Sequence, residues 1–176
     1  MIMPNTLMIL AHPKIEESIG NKIISELTNQ NDNVEVRHLN ALYPDFKIDI
    51  KAAQAALLRS DVIIFQYPLY WYSTPAILKE WIDQVFEYGF AFGQDYKLID
   101  KKIIVSITVG SDKKDYPQDV IDKILFPIKG LSAYCKMNYI GEVISNNINS
   151  YTPEAAENAK EIAKEHAKKL MNLINS

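Results

Sequence analysis

The chain has 176 residues, 48% of them hydrophobic and 23% charged, with a formal net charge of −3. That is the composition of one globular domain, 1–176, large enough to bury a core, and its basic residues form no block that would attract nucleic acid. Cys135 is the only cysteine and the histidines His12, His38 and His166 lack ligand spacing, which argues against a disulfide, a zinc site or any other metal.

The opening Met1-Ile2-Met3-Pro4-Asn5 has neither a basic start nor an apolar run of signal-peptide length, so a cytoplasmic location is expected. No apolar run reaches the roughly 20 residues that a bilayer span requires. Thr6–Leu10 reads as a buried strand, followed by a helix over 18–27 with Ile19, Ile23, Ile24 and Leu27 on one face. Residues 34–39 alternate with period two, as a half-buried strand does. Asp49 is the expected N-cap of a helix over 50–59. A strand over 62–67 and a helix over 76–88, ending before Gly89, come next. Lys102–Thr108 is a central strand, and Pro117-Gln118-Asp119 opens a helix to about 134 that should bend at Pro127. The last strand spans 139–144, and Thr152-Pro153 starts the closing helix with a cap and a proline at its first position. Five strands alternating with helices imply an α/β domain, a doubly wound parallel sheet of order 2-1-3-4-5.

In that order the switch point lies between strands one and three, beside the loops 11–17 and 68–74. The second loop, Pro68-Leu69-Tyr70-Trp71-Tyr72-Ser73-Thr74-Pro75, puts three aromatics and two prolines between a strand and a helix. Such a stiff aromatic shelf suits a flat conjugated ligand, although Trp71 and Tyr72 could equally cover the end of a core. The first turn, Ala11-His12-Pro13-Lys14, lacks the glycines of a dinucleotide fingerprint and the Gly-Lys-Ser/Thr of a phosphate loop. The acidic residues of a phosphoacceptor receiver are missing too. Taken singly, Ser18 is a helix cap, His12 a surface residue and Thr108-Val109-Gly110-Ser111 a plain turn. Together they offer a helix N-terminus sized for one phosphate, an aromatic shelf and a polar edge, which is the pattern of a flavin mononucleotide site.

The motifs then resemble the NAD(P)H:quinone oxidoreductase family of flavodoxin-like flavoproteins. They are Ala11-His12-Pro13 with Ser18 and Asn21, Tyr43-Pro44-Asp45-Phe46, and the aromatic loop. Leu78-Lys79-Glu80-Trp81-Ile82-Asp83, Gly89-Phe90-Ala91-Phe92-Gly93 and Thr108-Val109-Gly110 complete the set. The short length and the 43–50 run are similar to the ancillary quinone reductases of glutathione-regulated potassium efflux. The resemblance implies FMN, with FAD as the larger alternative, and NAD(P)H as co-substrate for two-electron reduction of a quinone by ping-pong hydride transfer. It implies that His12, Ser18, Ile19, Gly20 and Asn21 hold the phosphate and ribityl end. Pro68, Leu69, Tyr70, Trp71 and Tyr72 would carry the ring system, and Thr108, Val109, Gly110 and Ser111 its polar edge. It also implies a homodimer, expected to include Phe46 or Phe92 at its interface. Val109 and Ser111 depart from the family's Thr-Thr-Gly-Gly, and of the Tyr and His that often follow, only Tyr116 is present as a catalytic candidate. The rival readings are a flavin-binding regulatory subunit in peripheral contact with a membrane potassium antiporter, and a one-electron carrier, for which −3 is a weak charge.

Overall fold

Branched and apolar runs build the sheet. The computed structural model describes residues 4–176, so Met1 to Met3 of the opening segment lie outside the described residues. Among the described residues, β1 (Thr6–Leu10), β2 (Val34–His38), β3 (Val62–Pro68), β4 (Lys102–Thr108) and β5 (Asn138–Ser145) pair in the order β2-β1-β3-β4-β5, all parallel. Every residue of β3 is buried, because helices cover both faces of a central parallel strand and no polar face is left to alternate. On the edge strand β2 the alternation read from the sequence shows only at its start, with Val34 buried and Glu35 exposed, while Val36, Arg37 and His38 are all half-buried. Where β5 meets β4 the register slips between Ile103 and Ile104, and Gly141, at φ +146°, supplies the backbone the bulge needs.

The helices are α1 (Ile19–Asn29), α2 (Leu39–Leu42), α3 (Ile50–Arg59), α4 (Ala76–Val85), α5 (Gln118–Tyr134) and α6 (Pro153–Ile174). Single 3₁₀ turns occupy Ile15–Glu17 and Lys113–Asp115. Ser18, Asp49 and Thr152 cap α1, α3 and α6 through their side chains, each accepting from the N–H three residues on. Leu7, Ile63, Phe65, Ile103 and Val105 turn to one side of the sheet and meet Ala53, Trp81 and Leu125 of α3, α4 and α5. Met8, Ile64 and Ile104 turn to the other side and meet Ile24 of α1 with Ala163 and Leu170 of α6. Among the described residues no helix is long and apolar enough to cross a membrane.

Two elements, α2 and α4, differ from the reading of the sequence. The short α2 interrupts the connection after β2, where four residues carry too little periodicity to register. α5 runs through Pro127 to Tyr134 as the single helix the sequence indicates, the ring removing one N–H from its ladder. α4 stops at Val85 instead of 88, because Phe86 leaves the helix at ψ 58° and sets its ring edge-on to Trp81, centroids 6.0 Å apart. The chain then folds back, with Phe90 N–H and Ala91 N–H donating to Glu87 O and both residues buried. Burying Phe86 and Phe90 outweighs one further helical turn.

Candidate functional site

A cleft of about 350 Å³ opens at the carboxyl ends of β1, β3 and β4, where the strand order reverses. Its floor is the start of α1. Helix geometry leaves the N–H groups of Ile19 and Gly20 without an acceptor four residues back. The Ser18 hydroxyl oxygen accepts from Asn21 N–H at 3.2 Å and from the Asn21 amide Nδ2 at 3.2 Å. Asn21 turns inward, and its Nδ2 also donates to Thr108 Oγ1 at 2.8 Å, tying the first loop to the fourth. One wall is Pro68, Leu69 and Tyr70, with Leu69 N–H donating to Thr108 O at 2.9 Å. Gly110 and the Thr108 side chain form the other wall.

His12 lies at the mouth. Its Nδ1 accepts from Lys14 N–H at 3.1 Å, which leaves Nε2–H as the proton-bearing nitrogen. Burial, then the neighbouring His38, holds the His12 pKa below its ordinary value, against the weaker upward pull of the Lys14 backbone and Glu17. The imidazole is therefore a neutral donor at pH 7, able to give Nε2–H to an anionic oxygen. His38 Nε2 donates to His12 O at 2.8 Å and holds the loop itself.

Of the residues singled out in the sequence, His12, Ser18, Ile19, Gly20, Asn21, Pro68, Leu69, Tyr70, Thr108 and Gly110 converge on the cleft. Trp71 and Tyr72 follow Tyr70 in the same loop but do not line the cleft. Antiparallel bonds between Tyr70 and Ser73 close a tight turn, with Trp71 at φ 49° and Tyr72 at φ 61°. Two successive left-handed aromatics are strained, and such strain gathers where geometry serves a ligand. Trp71 is 94% exposed, so core packing does not hold it there. Val109 is buried in the core and does not line the cleft; its N–H donates to Ser145 O and its carbonyl accepts from Ile148 N–H. Tyr116 lines a neighbouring groove, its ring 5.7 Å from that of Tyr72, and the Ser111 hydroxyl donates to its oxygen at 3.4 Å.

Sequence reasoning missed a fifth contributor, the loop between β5 and α6. Ile148, Asn149 and Ser150 line the cleft together with Lys14 and Glu17. The loop is pinned by Asn147 N–H to Ser111 O at 2.9 Å, Ile148 N–H to Val109 O at 3.0 Å and Asn149 Nδ2 to Gly110 O at 2.9 Å. The available signal was the asparagine and serine run 145–150 at the carboxyl end of a strand, the end where parallel sheets bind ligands.

Residues 4–170 match a family described by its flavodoxin-like fold. The ancillary protein KefG of the glutathione-regulated potassium-efflux system from Salmonella paratyphi C is 37% identical over 161 residues, 88% of each chain. The chain belongs to the flavodoxin-like NAD(P)H:quinone oxidoreductase family. Among solved structures of flavodoxin-like proteins, general stress protein 14 from Treponema denticola, in complex with FMN, superposes with a TM-score of 0.87 at 31% identity over 97% of this chain and 99% of that one. An NADPH-quinone reductase from P. pentosaceus gives 0.79 at 25% identity over 94% and 96%.

Proposed function

We propose that the chain is an NAD(P)H:quinone oxidoreductase that holds flavin mononucleotide in the cleft between the loops after β1, β3 and β4. The chemistry of the donor set carries this reading. The N–H groups of Ile19 and Gly20, the hydroxyls of Ser18 and Thr108 and the Nε2–H of His12 are donors around one helix N-terminus, which suits a single phosphate. The remaining wall of Pro68, Leu69 and Tyr70 is apolar, and the cleft volume of about 350 Å³ is in the range of small-molecule sites. The residues present therefore fit the group.

Ser18, Ile19, Gly20 and His12 would hold the phosphate, with Asn21 orienting them from behind. Pro68, Leu69 and Tyr70, with Trp71 and Tyr72 beyond them in the same loop, would support the ring system, and the backbone of 108–111 its polar edge. Bound flavin supplies two-electron redox chemistry between a reduced nicotinamide and a quinone. The chain's own part is to bind, to orient and to leave one face open above the Tyr70–Ser73 turn. Both substrates would use that one face in turn, which gives ping-pong order. Tyr116, beside Tyr72, would offer its hydroxyl proton to the reduced acceptor as a hydrogen bond. A second reading, an ancillary role beside a potassium-efflux transporter, is supported by the likeness to KefG and to KefF from Enterobacter sp., an ancillary protein of the same efflux system that is 38% identical over 138 residues.

Chromatography of the flavin released from the purified protein tests the cofactor: FMN is expected, and a predominance of FAD would overturn the one-phosphate seat. Steady-state turnover of NADPH with a soluble quinone tests the reaction. Parallel reciprocal plots are expected, whereas intersecting ones would exclude ping-pong order. Absence of turnover in the flavin-loaded protein would favour the carrier or ancillary role.

A further inference from the structure

A line of polar side chains runs through the otherwise apolar layer between the sheet and helices α1 and α6. Asn21, Gln66, Ser106, Thr108 and His166 are each between 0% and 3% exposed. Buried polar groups are costly unless paired, and these are paired end to end. His166 Nδ1 lies 2.9 Å from Ser145 Oγ, and His166 Nε2 lies 2.6 Å from Ser106 Oγ. Ser106 Oγ donates to Gln66 Oε1. Gln66 Nε2 donates to Asn21 Oδ1 at 2.7 Å, and Asn21 Nδ2 donates onward to Thr108 Oγ1 and Ser18 Oγ. The register explains the line: Gln66 and Ser106 are cross-strand partners on the α1/α6 face.

Counting protons gives the line a direction. Ser106 has one hydroxyl proton, already given to Gln66, so towards His166 it accepts. His166 must then carry its proton on Nε2, and its bare Nδ1 accepts from the Ser145 hydroxyl. At the far end Asn21 arrives as a donor, so Ser18 and Thr108 accept from it and keep their own hydroxyl protons for the cleft they line. The reverse direction is also self-consistent. With the proton on Nδ1, both amides turn over, and Ser18 and Thr108 spend their protons inward on Asn21 Oδ1. The two directions present opposite polarity to a ligand.

We propose that His166 is a positioning residue: its Nε2–H tautomer sets the direction of this buried chain and so leaves the Ser18 and Thr108 hydroxyls as donors to a phosphate in the cleft. This deepens the flavin reading above and rests on it. The imidazole acts at a distance, through Ser106, Gln66 and Asn21, and touches no ligand. Burial, with a smaller contribution from Lys169, pushes the His166 pKa down to about 3, so a neutral ring with a single proton is the state to be set.

Long-range proton–nitrogen NMR of the flavin-free protein reads the tautomer directly. A protonated Nε2 and bare Nδ1 are expected, and the opposite assignment would overturn the proposal whether or not flavin binds. The second measurement is the dissociation constant, by flavin fluorescence, for FMN and for riboflavin, which lacks the phosphate. His166→Leu should weaken FMN about tenfold and leave riboflavin unchanged. His166→Gln, whose amide can replace the Nε2–H, should restore FMN binding to within about threefold of the native protein. If His166→Leu does not fold, Ser106→Ala interrupts the same chain and should give the same selective loss. Equal weakening of both ligands, or of neither, would sink the positioning role. Failure of the native protein to bind FMN would instead sink the reading of the cleft, while the tautomer still decides the direction.

Discussion

Trp71 and Trp81 lie at opposite extremes of exposure, 94% and 0%, so Trp81 is held by packing and Trp71 is not. Trp81 sits among Phe65 and Phe86, ring centroids 6.2 and 6.0 Å away, as its place on the α4 stripe indicates. Trp81→Ala should lower unfolding free energy by about 3–5 kcal/mol in urea titration. Trp71→Ala removes almost no buried surface, so its stability should stay within about 0.5 kcal/mol. It should nevertheless lower FMN affinity or quinone turnover about tenfold, an aromatic contact of roughly 1.4 kcal/mol. Survival of both affinity and turnover would remove the shelf from the site. His166 gives a pH signature. Its pKa is 6.5 in the unfolded chain and about 3 in the fold. The unfolded chain thus gains a proton that the fold refuses, and stability present above pH 6.5 is lost as the pH falls towards 3. At pH 5 the loss is about 2 kcal/mol. Urea unfolding at pH 7.5 and pH 5 should show a drop larger by about that amount in the native protein than in His166→Gln; equal drops would mean that His166 does not stay neutral.

At the scale of elements, the start of α1 depends on a close approach that no local pattern announces. A Cβ placed on Gly20 would lie 2.4 Å from Ile148 Cγ2, inside the loop that closes the cleft. Gly20→Ala would gain at most about 1 kcal/mol of helix propensity. It would lose about 1–3 kcal/mol to overpacking, so net destabilisation is expected. Because the loop is displaced, FMN should also bind more weakly, measured by fluorescence titration beside a urea curve. A more stable variant with native affinity would show that the contact is slack. The strands and the caps of α1, α3 and α6 were legible because period and capping residues act within a few positions. The end of α4 was not: Phe86 and Phe90 leave helical geometry for a core assembled from three other helices and the sheet.

For the molecule as a whole, the open question is its partner copy. Phe90 and Tyr43 fold back into the domain's own core, whereas Phe46 stays 44% exposed. Phe92 packs between Tyr88 and Tyr134, ring centroids 5.9 and 5.4 Å away, in a half-open aromatic cluster. Such surface is typical of interfaces, and we expect a symmetric homodimer through Phe46 or Phe92. Light scattering at micromolar concentration should give twice the chain mass of 20.1 kDa, and the single-chain mass would overturn this expectation. The sheet order was readable beforehand because crossover handedness and burial on both faces leave few arrangements of five such strands. So was the first ring of the cleft, since the switch point lies at the ends of strands one and three. Other features emerged only in three dimensions: the loop at 146–150 against Gly20, the retreat of Val109 into the core, and the chain from Ser145 through His166 to Ser18. Each depends on residues far apart in the sequence: Gly20 and Ile148 are 128 positions apart, Ser106 and His166 60, and Val109 and Ser145 36. Periodicity and capping report what a residue does to its near neighbours along the chain; which distant side chains meet, and which way their protons point, is decided by packing alone.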